Sequence, residues 1–140
     1  MYCSLEDIQK RLSAETLLKL ADIDGDGQPD SDVINAAISD ADAEIDAYLG
    51  NRYKVPLSSP PALIRAMSTV LAIDALFARI PGLVSKEHRD RAEEVRHLLR
   101  YLAESDIDLS QAPEIILRSF VASTTSDIPR IFSRETLTNF

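Results

Sequence analysis

PPALIRAMSTVLAIDALFARI, residues 60–80, is the segment on which the fold turns. Its only charges are Arg65, Asp74 and Arg79, and apolar residues occupy nearly every angle of a 3.6-residue period. Such a pattern predicts a central helix covered on all sides, which requires other elements to wrap it. Ser59-Pro60 reads as its N-cap with proline in the first turn, and Pro81-Gly82 as its end. The wrapping elements are legible on both sides. Upstream, Ile34, Ala37, Ile38, Ala41, Ile45 and Tyr48 recur at three- and four-residue steps, while Asn35, Ser39, Asp42 and Asp46 fall largely on the other face. This predicts a helix of about five turns, with Gly50 as its left-handed stop. Downstream, Ser85 caps a further helix to about Ala103, with Ala92, Val95, Leu98, Leu99 and Leu102 as its inward stripe and Lys86 to Glu94 as a solvated charged face.

Two short helices precede these. Ser4 and Asp7 form a capping-box pattern that opens a helix through Leu12, with Leu5, Ile8 and Leu12 on one face. A second begins after Ser13 and runs to about Ala21, carrying Leu17, Leu18 and Leu20. The expected fold is therefore all-α, a small bundle of about four to five helices with an EF-hand-like acidic loop and an extended C-terminal tail. Residues 1–104 form the helical domain and 105–140 a linker and tail. The stretch Ile115 to Val121 fits a strand or a short helix equally well, and the segment from Ala122 to Phe140 has no sustained period.

Length and composition fit one ordinary domain, with 140 residues and 45% hydrophobic content. The single cysteine, Cys3, allows no internal disulfide, and no apolar run suggests a membrane span or a cleaved leader. A reducing cytosolic origin is expected. The net charge of −8 is concentrated at the front, −7 over residues 1–60 (5 basic, 12 acidic) against −1 over 61–140 (10 and 11). Gripping nucleic acid requires lysine and arginine against phosphate, so this balance speaks against it.

The acidic loop, Asp22 to Asp32, places five carboxylates in eleven residues. Against the EF-hand pattern, Asp22, Asp24 and Asp26 take the first, third and fifth positions, Gly27 the sixth, the Gln28 carbonyl the seventh and Asp30 the ninth. Alternate carboxylates in a tight turn converge on one point, where a hard cation offsets their repulsion. Calcium is the expected ion, magnesium the second choice. The twelfth position is Val33 instead of a bidentate Glu, and Asp32, one residue early, is the available substitute. The same residues also suit a polar turn that ends one helix and caps the next. A lone, incomplete loop argues for a structural staple over a calcium switch.

Other reactive residues carry less. His88 and His97 are nine residues apart on one helix, too far to share a metal, and both are expected to be solvated. Asp42 and Asp46 lie on a polar stripe, Glu93 and Glu94 do not share a face, and Cys3 is expected at a mobile terminus with no histidine near it in sequence. There is no phosphate-cradling glycine loop. An enzyme is not expected.

Four motifs in order carry a resemblance: Met1-Tyr-Cys-Ser-Leu-Glu-Asp7, the loop from Leu20 to Gly27, Asp40 to Leu49 running into Arg52-Tyr-Lys-Val-Pro-Leu57, and Pro129-Arg-Ile-Phe-Ser-Arg-Glu-Thr-Leu-Thr-Asn-Phe140. Together they resemble the Mu-like phage and prophage head-tail connector proteins. Pro29 and the apolar stretch at 114–121 depart from that pattern. The resemblance implies a non-enzymatic adaptor that forms a homo-oligomeric ring between the portal protein and tail-side connector or terminator proteins, at the virion head-tail junction. It implies no small-molecule substrate and DNA passing nearby without specific binding. The tail, with Arg130, Ile131, Phe132, Arg134 and Phe140, is the expected partner-binding segment. The competing expectations are a calcium-stabilised protein-binding module of the bacterial host and a small metal-dependent hydrolase.

Overall fold

The computed structural model describes residues 1–105 and Leu109. Among them are five α-helices and no strand: α1 (Leu5–Gln9), α2 (Ala14–Ala21), α3 (Ser31–Leu49), α4 (Ala62–Ala78) and α5 (Lys86–Glu104), with a 3-10 turn at Pro81–Leu83. Three helices begin at a serine cap, Ser4 and Ser85 as expected and Ser13 in addition. Ser4 Oγ accepts the Asp7 N–H (3.4 Å) while the Ser4 N–H donates back to Asp7 Oδ2 (3.0 Å). Ser13 Oγ accepts from Thr16 N–H (3.2 Å), and Ser85 Oγ from His88 N–H (3.3 Å). Each cap satisfies a helix-end donor that would otherwise lack a partner, worth about 1 kcal/mol.

α4 is the axis of the bundle. Twelve of its 17 residues are buried, among them Ile64, Met67, Leu71 and Leu76, and α3 runs along it with α5, α1 and α2 around the remainder. From α3 come Ile34, Ala37, Ile38, Ala41, Ile45 and Leu49; from α5 come Ala92, Val95, Leu99 and Leu102. Two polar residues of α4 are buried without orphaned hydroxyls. Thr69 Oγ1 donates to the Arg65 carbonyl of its own helix (2.8 Å), and Ser68 Oγ donates to Asp42 Oδ1 across to α3 (2.7 Å). Leu109, beyond α5, is buried in the same core. No helix among the described residues is long and apolar enough to cross a membrane.

Several local expectations are corrected. Gly50 is right-handed (φ −61°, ψ −21°): its N–H bonds to Asp46 O, and the N–H groups of Arg52 and Tyr53 both reach Leu49 O, so the following turn satisfies the helix end without a left-handed residue. α4 starts at Ala62 after Pro61, not at Ser59-Pro60, because a residue preceding proline is pushed out of the helical region and Pro60 precedes Pro61. α1 closes at Gln9, short of Leu12, since Ser13 must be extended (ψ 150°) to cap α2.

The larger corrections are tertiary. Tyr2 and Cys3 are core residues, each 5% exposed, instead of a mobile terminus. The Tyr2 N–H donates to Asp42 Oδ2 (2.9 Å), the Tyr2 hydroxyl donates to an Asp46 carboxylate oxygen, and the same hydroxyl oxygen accepts the Leu57 N–H (2.9 Å). Asp42 and Asp46 are thus not a solvent stripe; they clamp the N-terminal segment and the α3–α4 connection onto the bundle. Burial, reinforced by the bond to Asp46, pushes the Tyr2 hydroxyl up to about 12, and burial raises the Cys3 thiol as well, which leaves it a protonated core group. His88 is half-buried, its ring 4.6 Å from that of Phe77 and its Nδ1 2.6 Å from Ser85 Oγ, so the start of α5 is not wholly solvated.

One guanidinium ties three helices. Arg96 of α5 donates from Nε to Glu44 Oε1 of α3 (2.6 Å) and from Nη2 to Asp74 Oδ2 of α4 (2.9 Å). The Glu44 hydrogen bond leads the effects that raise the Arg96 pKa, against the opposing cost of burial.

Candidate metal centre

The loop between α2 and α3 is built by carboxylates folding back on its own amides. Asp22 caps α2 and accepts from Gly25 N–H (2.7 Å, Oδ1) and Gly27 N–H (3.1 Å, Oδ2). Asp24 Oδ1 accepts from Asp26 N–H (3.1 Å), Asp26 Oδ1 from Gln28 N–H (2.8 Å), and Asp30 Oδ2 from Ile23 N–H (2.8 Å). Such bonds two to seven residues along the chain need sharp reversals, and Gly25 (φ +76°) and Gly27 (φ +83°) supply them in the left-handed region that other residues rarely enter. Gly27 was expected to do so. Gly25 is the second reversal, and the Asp-Gly-Asp-Gly pattern held the signal for it.

Asp30 occupies the N-cap position of α3, yet its side chain makes no capping bond and turns into the loop instead. With it there, one carboxylate oxygen from each of Asp22, Asp24 and Asp30 lies within 4.8 Å of the others. These three of the six candidate ligands come together. Asp26 is exposed and holds Gln28, itself exposed; Asp32 stands in the first turn of α3, where it lines a groove with Val33, Ala36, Asp40, Ala75 and Arg79. Val33, at the twelfth loop position, is packed against the core, which explains why that position carries no ligand. Pro29 is half-buried and lines a groove with Leu12, Leu17 and Leu18.

Three oxygen donors of full negative charge on a solvent-facing loop match the chemistry of a hard divalent cation, with backbone carbonyls and water to complete its shell. The electrostatics are those of a cluster under mutual repulsion. The Asp26 N–H pulls the Asp24 carboxyl down, but desolvation and the charges of Asp26, Asp30 and Asp22 together outweigh it and leave the pKa raised. A cation at that point would reverse the balance.

The other sequence candidates fare differently. The carboxylate pair Asp42 and Asp46 and the Arg96 cluster, which the sequence did not single out as sites, hold elements together; their partners lie 22 to 52 residues away, and no local signal marks them. Arg130, Ile131, Phe132, Arg134 and Phe140, the linker after residue 105 and the ambiguous stretch at 115–121 lie outside the described residues.

Gene product J of Escherichia phage Mu is 45% identical over 76 residues, covering 51% of this chain and 51% of the phage protein. The Mu-like prophage FluMu protein gp36 of Haemophilus influenzae is 33% identical over 64 residues, covering 46% and 45%. The chain thus spans about half the length of the curated relatives it matches. The sequence model described as "Bacteriophage Mu, Gp36" matches residues 2–114, from the buried Tyr2 through all five helices to beyond Leu109, and the chain belongs to that Mu Gp36 phage family.

Proposed function

We propose that this protein is a structural head-tail connector: a non-enzymatic adaptor that assembles as a homo-oligomeric ring between the portal protein and the tail-side proteins of a Mu-like phage or prophage. The observation that carries the reading is membership of the Mu Gp36 family across residues 2–114, with a phage and a prophage protein among the relatives. Two features support it. The polar groups that meet within the bundle, Tyr2 with Asp42 and Asp46 and Arg96 with Glu44 and Asp74, serve rigidity, which suits a part that transmits load between assemblies. The net charge of −8 repels the DNA backbone, so a genome passes such a ring without adhering to it.

In this reading the protein is made in the host cytoplasm and ends at the head-tail junction of the virion. Its tail docks through Arg130, Ile131, Phe132, Arg134 and Phe140 onto a neighbouring subunit or the portal. Asp22, Asp24 and Asp30 hold a calcium ion as a staple between α2 and α3, with Asp26, Gln28 and Asp32 completing the shell through direct or water-bridged contacts. A phage lacking the gene should accumulate DNA-filled heads beside free tails in electron micrographs; normally tailed particles would refute the assignment. A version ending near Ser126 should give the same unjoined parts, and normal joining would remove the docking role of the tail alone.

The convergence of three carboxylates also bears on the second reading, a calcium-responsive binding module of the host. A staple raises the melting temperature on calcium addition without exposing apolar surface, whereas a groove-opening module binds a hydrophobic dye when calcium is added. Calorimetry with calcium and with magnesium tests the site itself, and absence of heat with both would dismiss it.

A further inference from the structure

We propose that copies of this chain join head to tail, with Lys54 and Arg65 of one copy docked at the groove between Asp32 and Asp40 of the next. In the homo-oligomeric ring of the proposed function, on which this rests, these are the two faces of each subunit contact. Charge is sorted along the bundle. From Asp22 to Asp40 there are six carboxylates and no basic residue, whereas residues 47–73 hold Arg52, Lys54 and Arg65 and no acidic residue. Helix geometry keeps the two stretches apart. α3 rises about 28 Å between Ser31 and Leu49, and α4 returns beside it, so that Ala75 and Arg79 near the end of α4 line one groove with Asp32 and Val33 near the start of α3. The α3–α4 connection therefore lies at the opposite end of the pair.

The two faces match in polarity as well as in sign. Val33, Ala36, Ala37 and Ala75 give the groove an apolar lining, with Asp32 and Asp40 exposed along it and Arg79 at its α4 edge. Neither carboxylate has a side-chain partner among the described residues. Asp40, about two turns beyond the acidic loop, keeps its charge whatever the loop binds. On the other face Lys54 and Arg65 are exposed and make no ion pair among the described residues, and Val55, Pro56 and Leu57 between them offer partly exposed apolar surface. The contact does not call on Arg52, which lies over the Tyr53 ring. Asp42 and Asp46, the acidic residues of α3 nearest that end, are already occupied by Tyr2 and Ser68. A symmetric pairing of either face with itself sets like charges against each other, which favours contact between the two different faces. Such a contact repeats from copy to copy and closes into a ring when the rotation per step divides a full turn.

Sedimentation of the full chain in chelating buffer, where the cation response of the loop does not enter, tests this. The wild type should self-associate, and raising sodium chloride from about 50 to about 500 mM should weaken the association about tenfold. Lys54→Glu with Arg65→Glu, and separately Asp32→Lys with Asp40→Lys, should each weaken it about 100-fold. An equal mixture of the two variants should associate again, because each presents the charge that the other needs. Melting temperatures report whether the variants fold, and the salt dependence of the wild type stands by itself where one does not. A wild type that stays monomeric, association indifferent to salt, reversed variants that associate like the wild type, or a mixture of folded variants that stays dissociated overturns the contact. The connector reading falls by a different result, normally tailed particles from a phage lacking the gene.

Discussion

Two runs of alternating carboxylates, Asp22-x-Asp24-x-Asp26 and Asp40-x-Asp42-x-Glu44-x-Asp46, have the same spacing and opposite fates. In the loop, Gly25 and Gly27 reverse the chain, and oxygens of Asp22, Asp24 and Asp30 converge while their hydrogen-bond donors come from the loop's own backbone. In α3, residues two apart stand about 200° apart around the axis, so the run splits. Asp42 and Asp46 share one face and take Tyr2 and Ser68, while Glu44 turns toward Arg96. Spacing proposes a cation site; backbone geometry decides whether one forms. Where the carboxylates diverge, Asp42, Glu44 and Asp46 each find a distant donor and become structural ties. Where they converge, repulsion persists and invites a ligand.

The contrast predicts that the helical run carries stability and the loop carries cation response. The largest effect belongs to Arg96→Met, which leaves Glu44 and Asp74 without their shared donor and should cost about 2 kcal/mol in denaturant unfolding. A loss no greater than that of a loop variant would erase the distinction. Tyr2→Phe removes the hydroxyl between Asp46 and the Leu57 N–H and should cost about 1.5 kcal/mol. It carries a pH signature. Because the folded hydroxyl is raised from 10.0 to about 12, its stabilising contribution is complete below pH 10 and is lost as pH rises toward 12. The alkaline fall in melting temperature should be smaller in Tyr2→Phe, and an equal fall in both proteins would contradict the clamp.

Ser68→Ala, which deprives Asp42 of one donor but leaves it the Tyr2 N–H, should cost about 1 kcal/mol. Asp24→Asn should be the mildest. The raised Asp24 pKa means that its charged form opposes folding, and that its favourable contribution at low pH is lost as pH rises through the folded value. Removing the charge should therefore leave stability at neutral pH unchanged or slightly higher without added cation, while abolishing any calcium-dependent rise in melting temperature. A marked destabilisation in cation-free buffer would mean that the Asp24 bond to Asp26 outweighs the repulsion.

Much of the secondary structure was readable because helices declare themselves locally. The serine caps at 4 and 85, the Ile34-to-Ile45 stripe and the apolar girth of residues 60–80 depend on neighbours three and four positions away. The misreadings share a cause. Asp42 and Asp46 looked solvent-facing because a helical pattern reports which side is polar and not what covers that side; Tyr2 arrives from 40 and 44 residues upstream. A terminal position in the sequence suggests exposure for Cys3, which the bundle buries, and the charged neighbours of His88 give no sign of Phe77, which approaches it from another helix.

The sequence by itself determined that the chain is helical, that a helix within residues 60–80 lies at its centre, and that the bend between α2 and α3 is acidic and glycine-hinged. Each of these rests on interactions within a few residues. Only the tertiary structure decided which carboxylates meet one another and which meet a partner, and that Tyr2, Cys3 and Arg96 belong to the framework. Those outcomes depend on where helices cross, and a one-dimensional pattern contains the faces of each helix but not the surfaces that come to rest against them.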